Sequence, residues 1–180
     1  MSQSERSNNI RLEEGFTLAP FMGTWYEQKR TNNIKVETEY VQENYHLNPD
    51  NTVNVYTTQY DDAKNKLGEI TQKLYLDNGP AGYVKFKWFL PKGNYQVVAT
   101  DYTNYAVVYT ETRMALFWSF KGAWIMTRDK NPSAELVKKA QDLLLERVPE
   151  MRGQTFHNTR QGDASKYLPP AELERKIRDF

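Results

Sequence analysis

Three carboxylates in strand-like stretches, Glu27, Glu43 and Glu69, are the side chains best suited by type to acid–base chemistry. Nothing in their spacing pairs one with another. The two histidines, His46 and His157, stand far apart and have no pattern of metal ligands around them, so no metal site is expected. The chain has no cysteine, which removes disulfides, thiolate catalysis and cysteine-held metals together. Neither a Gly-x-Ser-x-Gly nucleophile turn nor a Walker-type phosphate loop occurs. The expected set of catalytic residues is therefore empty, and the chain is read as no enzyme. What remains abundant is aromatic surface, with 12 Tyr, 8 Phe and 4 Trp. Such side chains build strands, fill cores and line apolar pockets.

The frame that positions them is a single domain of 180 residues with a formal charge of +1. No block of five or six basic residues occurs, so nucleic acid is not an expected partner. No run approaches the roughly 18 apolar residues of a membrane-spanning helix. Residues 1–14 are polar and aperiodic and are expected to be a disordered tail. The main domain is expected over 15–162, with a tail over 163–180 whose Leu173, Ile177 and Phe180 fit one face of a short helix.

Within the main domain, short apolar stretches alternate with turn signals. Strands are expected at Gly23 to Arg30, Tyr40–Leu47, Thr52–Tyr60, Leu67–Leu76, Tyr83–Phe89, Tyr95–Asp101, Tyr105–Thr112 and Met114–Arg128. Asn48-Pro49-Asp50-Asn51, Asp77-Asn78-Gly79-Pro80 and Pro91-Lys92-Gly93-Asn94 punctuate them. Eight such strands in up-and-down order predict a sandwich or barrel, and closure removes exposed sheet edges. After Asn131-Pro132-Ser133 the period changes to helical through Leu136, Val137, Ala140, Leu143, Leu144 and Val148. A ninth strand is expected near Thr155–Asn158.

Three motifs in order carry a resemblance: Gly23-Thr24-Trp25-Tyr26-Glu27, Thr100-Asp101-Tyr102-Thr103-Asn104-Tyr105-Ala106, and Ala123-Trp124-Ile125-Met126-Thr127-Arg128. Together they resemble the lipocalin family, and within it the branch of apolipoprotein D, the bilin-binding proteins and the crustacyanins. The resemblance covers about Phe16 to Gly162. It implies an all-β fold, an eight-stranded up-and-down antiparallel barrel, or calyx, with one C-terminal α-helix packed outside and a short ninth strand. It implies that Gly23, Trp25, Asp101, Tyr102 and Arg128 close one end of the barrel, with Arg128 packed across Trp25. Secretion follows from the family resemblance. The polar first ten residues, without an apolar signal region, and the missing cysteines leave a cytoplasmic home open.

Strand parity then assigns an inner wall. With Trp25 inside, Glu27 and Lys29 are expected inside as well, pairing with each other or holding a polar ligand group. Ile70, Gln72 and Leu74 form one inner row; Val84, Phe86 and Trp88 form a second. Trp118, Phe120 and Trp124 form a third. With Tyr45 these residues make up the expected ligand-binding set. A barrel of eight strands either fills with side chains or holds one small ligand. The expected function is therefore binding, storage or transport of a small hydrophobic ligand. The resemblance implies a bilin, carotenoid, sterol or fatty acid, with a bound bilin or carotenoid as a pigment and no required cofactor. The alternative is a filled barrel that acts as a protein- or membrane-interaction module, with peripheral membrane contact. Monomer and homodimer both remain open.

Overall fold

The computed structural model describes residues 10–33, 38–85, 92–115 and 118–179. Its framework is eight antiparallel strands: β1 Gly23–Thr31, β2 Glu39–Leu47, β3 Val53–Asp61, β4 Lys66–Tyr75, β5 Ala81–Lys85, β6 Gly93–Thr100, β7 Tyr105–Ala115 and β8 Trp118–Thr127. Each pairs with the next, β8 returns to β1, and β1 also pairs with β2, which closes the barrel. A ninth strand, β9 Phe156–Asn158, runs antiparallel to the end of β1. The eight-stranded barrel with an extra strand and an outer helix is the architecture that the family resemblance implies; turn spacing alone leaves a sandwich open as well.

Two apolar clusters divide the alternating strand residues. The inner one holds Trp25, Tyr45, Val53, Val55, Leu74, Val84, Val97, Val108 and Met126. The outer one holds Val107, Tyr109, Ala123 and Ile125 with Ala140, Leu144 and Val148. Its helix, α2 (Ala134–Arg147), begins where the Ser133 hydroxyl accepts a hydrogen bond from the Leu136 amide at 3.2 Å. That side-chain cap satisfies one of the free amides of the first turn. Ile10 and Leu12 pack on the same cluster. The Arg11 amide donates to the Arg147 carbonyl at 2.8 Å, and the Glu13 amide to Val97 at 3.0 Å. Residues 10–14 are therefore fastened to the barrel, where composition alone suggested a disordered tail.

One end of the barrel is sealed. The chain enters through Phe16 and a single helical turn, α1 (Leu18–Phe21), and both Leu18 and Phe21 are buried. Phe21 lies 5.5 Å from the Trp25 ring and 5.4 Å from the Tyr45 ring, measured between centroids. The fully buried Trp25 donates its indole N–H to the Phe21 carbonyl at 2.9 Å. The Arg128 guanidinium lies 3.6 Å from the centre of the Trp25 ring. Its N–H groups donate to the carbonyls of Tyr102 (3.0 Å), Thr24 (2.8 Å), Pro20 (3.0 Å), Phe21 (3.3 Å) and Met22 (2.8 Å). Gly23 has φ +95°, and a Cβ there would sit 3.2 Å from Arg128 Nη1, so both its backbone and its lack of a side chain serve this packing. Asp101 caps the adjacent turn by accepting from the amides of Thr103, Asn104 and Tyr105. The following Tyr102 takes φ +65°, and its hydroxyl accepts from the Thr17 amide at 3.0 Å.

The seam between β1 and β2 is closed by other means. The two strands pair only from Gly23 to Tyr26. Beyond that point the Gln161 side-chain amide donates to the carbonyls of both Glu27 and Val41 at 2.8 Å. The Thr159 amide donates to the Gln28 carbonyl, and the Tyr40 amide to that of Arg160, both at 2.9 Å. The segment after β9 thus supplies the hydrogen bonds the strands cannot give each other, as buried backbone requires. The last helix, α3 (Pro170–Arg178), follows outside the barrel, where Lys176 bonds Glu69 at 2.8 Å.

Arg128→Met keeps an unbranched apolar stem, two atoms shorter, and removes the cation and every donor. It is expected to cost about 3 kcal/mol, since several charge-assisted hydrogen bonds to carbonyls go with the ring contact. Urea unfolding followed by tryptophan fluorescence checks this; an unchanged midpoint would show that the floor holds without the arginine.

Candidate functional site

The strands run so that the floor lies at the starts of β1, β3, β5 and β7 and at the ends of β2, β4, β6 and β8. The opposite end is the mouth. Between them the inner wall is graded. Leu74 and Val84 face each other across the β4–β5 pair and are buried near the floor. Gln72 stands opposite Val55, and Ile70 opposite Thr57, on the same inner row. Toward the mouth that row opens: Gln72 is partly exposed and Ile70 is 39 % exposed. Trp124 packs against the inner cluster and keeps part of its surface free. Phe120, four residues nearer the mouth, is also only partly buried. Trp118 opens β8 opposite Ala115. Phe86 and Trp88, expected on the same wall, lie outside the described residues.

The carboxylates Glu27 and Glu43 inside the barrel are each held by hydrogen bonds. Glu27, on the inner face of β1, bonds Arg30 at 2.6 Å and accepts the Thr159 hydroxyl proton. Both members of this ion pair are buried. Arg30 also donates to the Thr38 carbonyl at 2.9 Å and to the Thr159 hydroxyl at 3.2 Å. Buried charge costs several kcal/mol unless it is paired and hydrogen-bonded in this way. Lys29 does not belong to the wall. The β1–β8 register slips between Glu27 and Lys29, so that Gln28 is an extra residue. The bulge reverses the parity beyond it: Lys29 leaves the barrel and bonds Gln141 of α2 at 2.9 Å, and Arg30 takes the inner position. The expected inward Glu27–Lys29 pair is thus replaced by Glu27–Arg30.

Deeper in, Glu43 stands opposite Trp25 on one side and Thr57 on the other. The Tyr45 hydroxyl donates to Glu43 Oε2 at 2.5 Å and lies 2.8 Å from the Tyr95 hydroxyl. Burial pushes the Glu43 carboxyl up to about 7; the bond from Tyr45 opposes the rise and the charge of Glu27 adds to it. Burial likewise drives the Tyr45 and Tyr95 phenols well above their ordinary range, with the Glu43 charge adding to it. Glu43 and Tyr95 are only partly buried and keep some free surface. By its type Tyr45 is expected on the wall; the structure sets it at the floor, against Phe21. Tyr95 and Arg30 were missed. Glu43 was considered as an acid but not as part of the wall, although it shares the parity of Tyr45. Among the described residues no group of three His, Asp or Glu comes together as a metal would need.

A sealed floor, an open inner wall and an outer helix after eight strands are also the features of a known family. The family model of the lipocalin / cytosolic fatty-acid binding protein family matches residues 22–163. The chain belongs to this family. Among individual lipocalins it is 30 % identical to apolipoprotein D of Bos taurus over 148 residues, 81 % of this chain and 78 % of that one. To the Lazarillo protein of Schistocerca americana it is 26 % identical over 137 residues, 72 % of this chain and 63 % of that one. Lobster apocrustacyanin A1 superposes with a TM-score of 0.66 at 19 % identity, covering 96 % of this chain and 99 % of that one. Apocrustacyanin C1 gives the same TM-score at 21 % identity, over 87 % and 84 %. The chain is thus a lipocalin similar in sequence to apolipoprotein D, and it shares its fold with the crustacyanins. Its general role, shared with the family, is to bind small hydrophobic ligands.

The raised Glu43 predicts a pH dependence of stability. A carboxyl with a folded value near 7 and an unfolded value of 4.5 favours the folded state fully below 4.5. That contribution is lost as pH rises through about 7. Glu43→Gln is therefore expected to match the parent protein at pH 4 and exceed it at pH 8, by at most about 3 kcal/mol. Thermal unfolding at the two pH values measures the difference; a variant less stable at pH 8 would contradict it.

Proposed function

We propose that the protein takes one elongated or flat apolar molecule into the cup through the mouth and stores or carries it. The observation that carries this reading is the gradient along the β4 row. Leu74 is fully buried at the floor, whereas Ile70, on the same inner face two steps higher, keeps 39 % of its surface exposed. A wall that is apolar and uncovered on the inside of a closed barrel is a ligand surface. Gln72, Phe120 and Trp124 extend it, and Glu27, Glu43 and Tyr45 are the polar groups within reach of a guest. Phe86, Trp88 and Trp118 complete the proposed wall from the sequence pattern.

The driving force is burial. At about 25 cal/mol per Å² of apolar surface, a guest hiding about 300 Å² gains about 7 kcal/mol before the cost of immobilising it. No catalytic step is assigned, since the interior carboxylates are engaged with Arg30, Thr159 and Tyr45. The branch resemblance implies bilins, carotenoids, sterols and fatty acids as the candidate guests, and a pigment is included among them.

Intrinsic tryptophan fluorescence tests the carrier against the filled barrel, because Trp25 and Trp124 stand on the inner side. Saturable quenching by a polyene ligand is expected, at one site per chain. Ile70→Arg is expected to weaken that binding at least about tenfold while changing stability by only about 0.5 kcal/mol, since the side chain is already exposed. Unchanged fluorescence with every apolar ligand would favour the filled barrel and an interaction role.

A further inference from the structure

Burial of apolar surface gives no role to the carboxylate just above the floor, level with Trp25. Resting on the carrier reading, we propose that Glu43, with Tyr45 and Tyr95, anchors the inner end of the ligand. That end is a hydrogen-bond donor, a hydroxyl or an N–H, and not a carboxylate.

The direction of the hydrogen bonds decides the chemistry. Tyr45 has one hydroxyl proton and gives it to Glu43 Oε2. The 2.8 Å contact between the two phenols must then use the proton of Tyr95. Both phenolic protons are consumed inside the cluster. With Glu43 ionised, what remains for a guest is acceptors alone: the other carboxylate oxygen and the free lone pairs of Tyr95. A donor completes this arrangement, and a carboxylate would leave it short of protons.

The surrounding charges point the same way. From β1, Glu27 presents a second carboxylate, already engaged by Arg30 and Thr159. The phenols of Tyr45 and Tyr95 come from β2 and β6. The rows of β3 and β4 offer Thr57, Ile70 and Gln72, and β8 offers Trp124 and Met126; none of these titrates. Arg128 is spread over the Trp25 ring and the carbonyls of the floor. Among the described residues Glu43 forms no ion pair, so an anionic head would meet like charge in a low-dielectric site. Since Glu43 lies level with Trp25, a guest entering from the mouth reaches it last, end-on.

Protonation cancels the carboxylate charge and puts a donor on the free oxygen, so the strong charge-assisted acceptor is lost. Burial holds the Glu43 carboxyl near 7, so the anchor is present above that pH and is lost below it. In the limit where only the ionised form holds the donor, affinity falls about tenfold per pH unit below 7.

The test uses three polyenes that differ only at the end: retinol, its methyl ether and retinoic acid, each titrated by tryptophan quenching at pH 8 and pH 5.5. Retinol is expected to bind about tenfold or more tighter than the other two at pH 8 and to lose that advantage at pH 5.5. Glu43→Gln is expected to abolish both the preference and the pH dependence. The parent protein's own pH profile keeps the test decisive if the variant does not fold. If all three bind alike at both pH values, the anchor is refuted and the carrier reading stands. If none binds, both are refuted.

Discussion

The contact of Arg128 with Trp25 is the constraint on which the rest of the molecule depends. A closed barrel has two ends, and a cup needs one of them shut. The indole plugs the end from within, and the guanidinium covers it from the other side. A cation over a ring contributes about 0.5–2 kcal/mol, too little to define a floor alone. The five carbonyls that Arg128 also bonds lie on the entering segment, on β1 and on the turn before β7. The arginine therefore ties three parts of the chain to one plane, and the left-handed Gly23 lets that plane form. Every inner position above it takes its depth from this reference.

The opposite constraint lies at the β1–β2 seam. A barrel cannot leave a row of buried amides and carbonyls unpaired, yet these two strands part after Tyr26 and Gln42. The chain meets this with its C-terminal segment. Gln161 bridges the carbonyls, and Arg30 reaches Thr38 from the inside. The Gln28 bulge makes this second contact geometrically available by turning Arg30 inward. One extra residue thus exchanges the lysine of the wall for an arginine paired with Glu27, and moves Lys29 onto the helix.

Much of this was legible in the sequence. The alternation of Ile70, Gln72 and Leu74, and the inward Val84, follow from period two because β4 and β5 pair without a slip. The floor was legible because its parts are short local motifs: the glycine before Trp25, the Asp101 turn and the arginine closing β8. Lys29 was misplaced because a bulge inserts a residue without any marker in composition; Gln28 looks like any strand residue. No local pattern gives the depth of Tyr45, which is set by the floor across the barrel. The environment of Glu43 needed Tyr95, fifty residues on. The anchoring of residues 10–14 depends on Val97 and Arg147, which no local pattern connects to them.

The central claim is that the guest lies inside the barrel and not against its outer aromatic belt of Tyr26, Tyr40, Tyr60 and Tyr167. Mapping backbone and methyl NMR shifts during titration with an apolar ligand separates the two most directly. The account predicts that the largest changes fall on Ile70, Gln72, Trp124 and Glu43, with the outer belt unmoved. Changes confined to the outer belt, with the inner row silent, would contradict it.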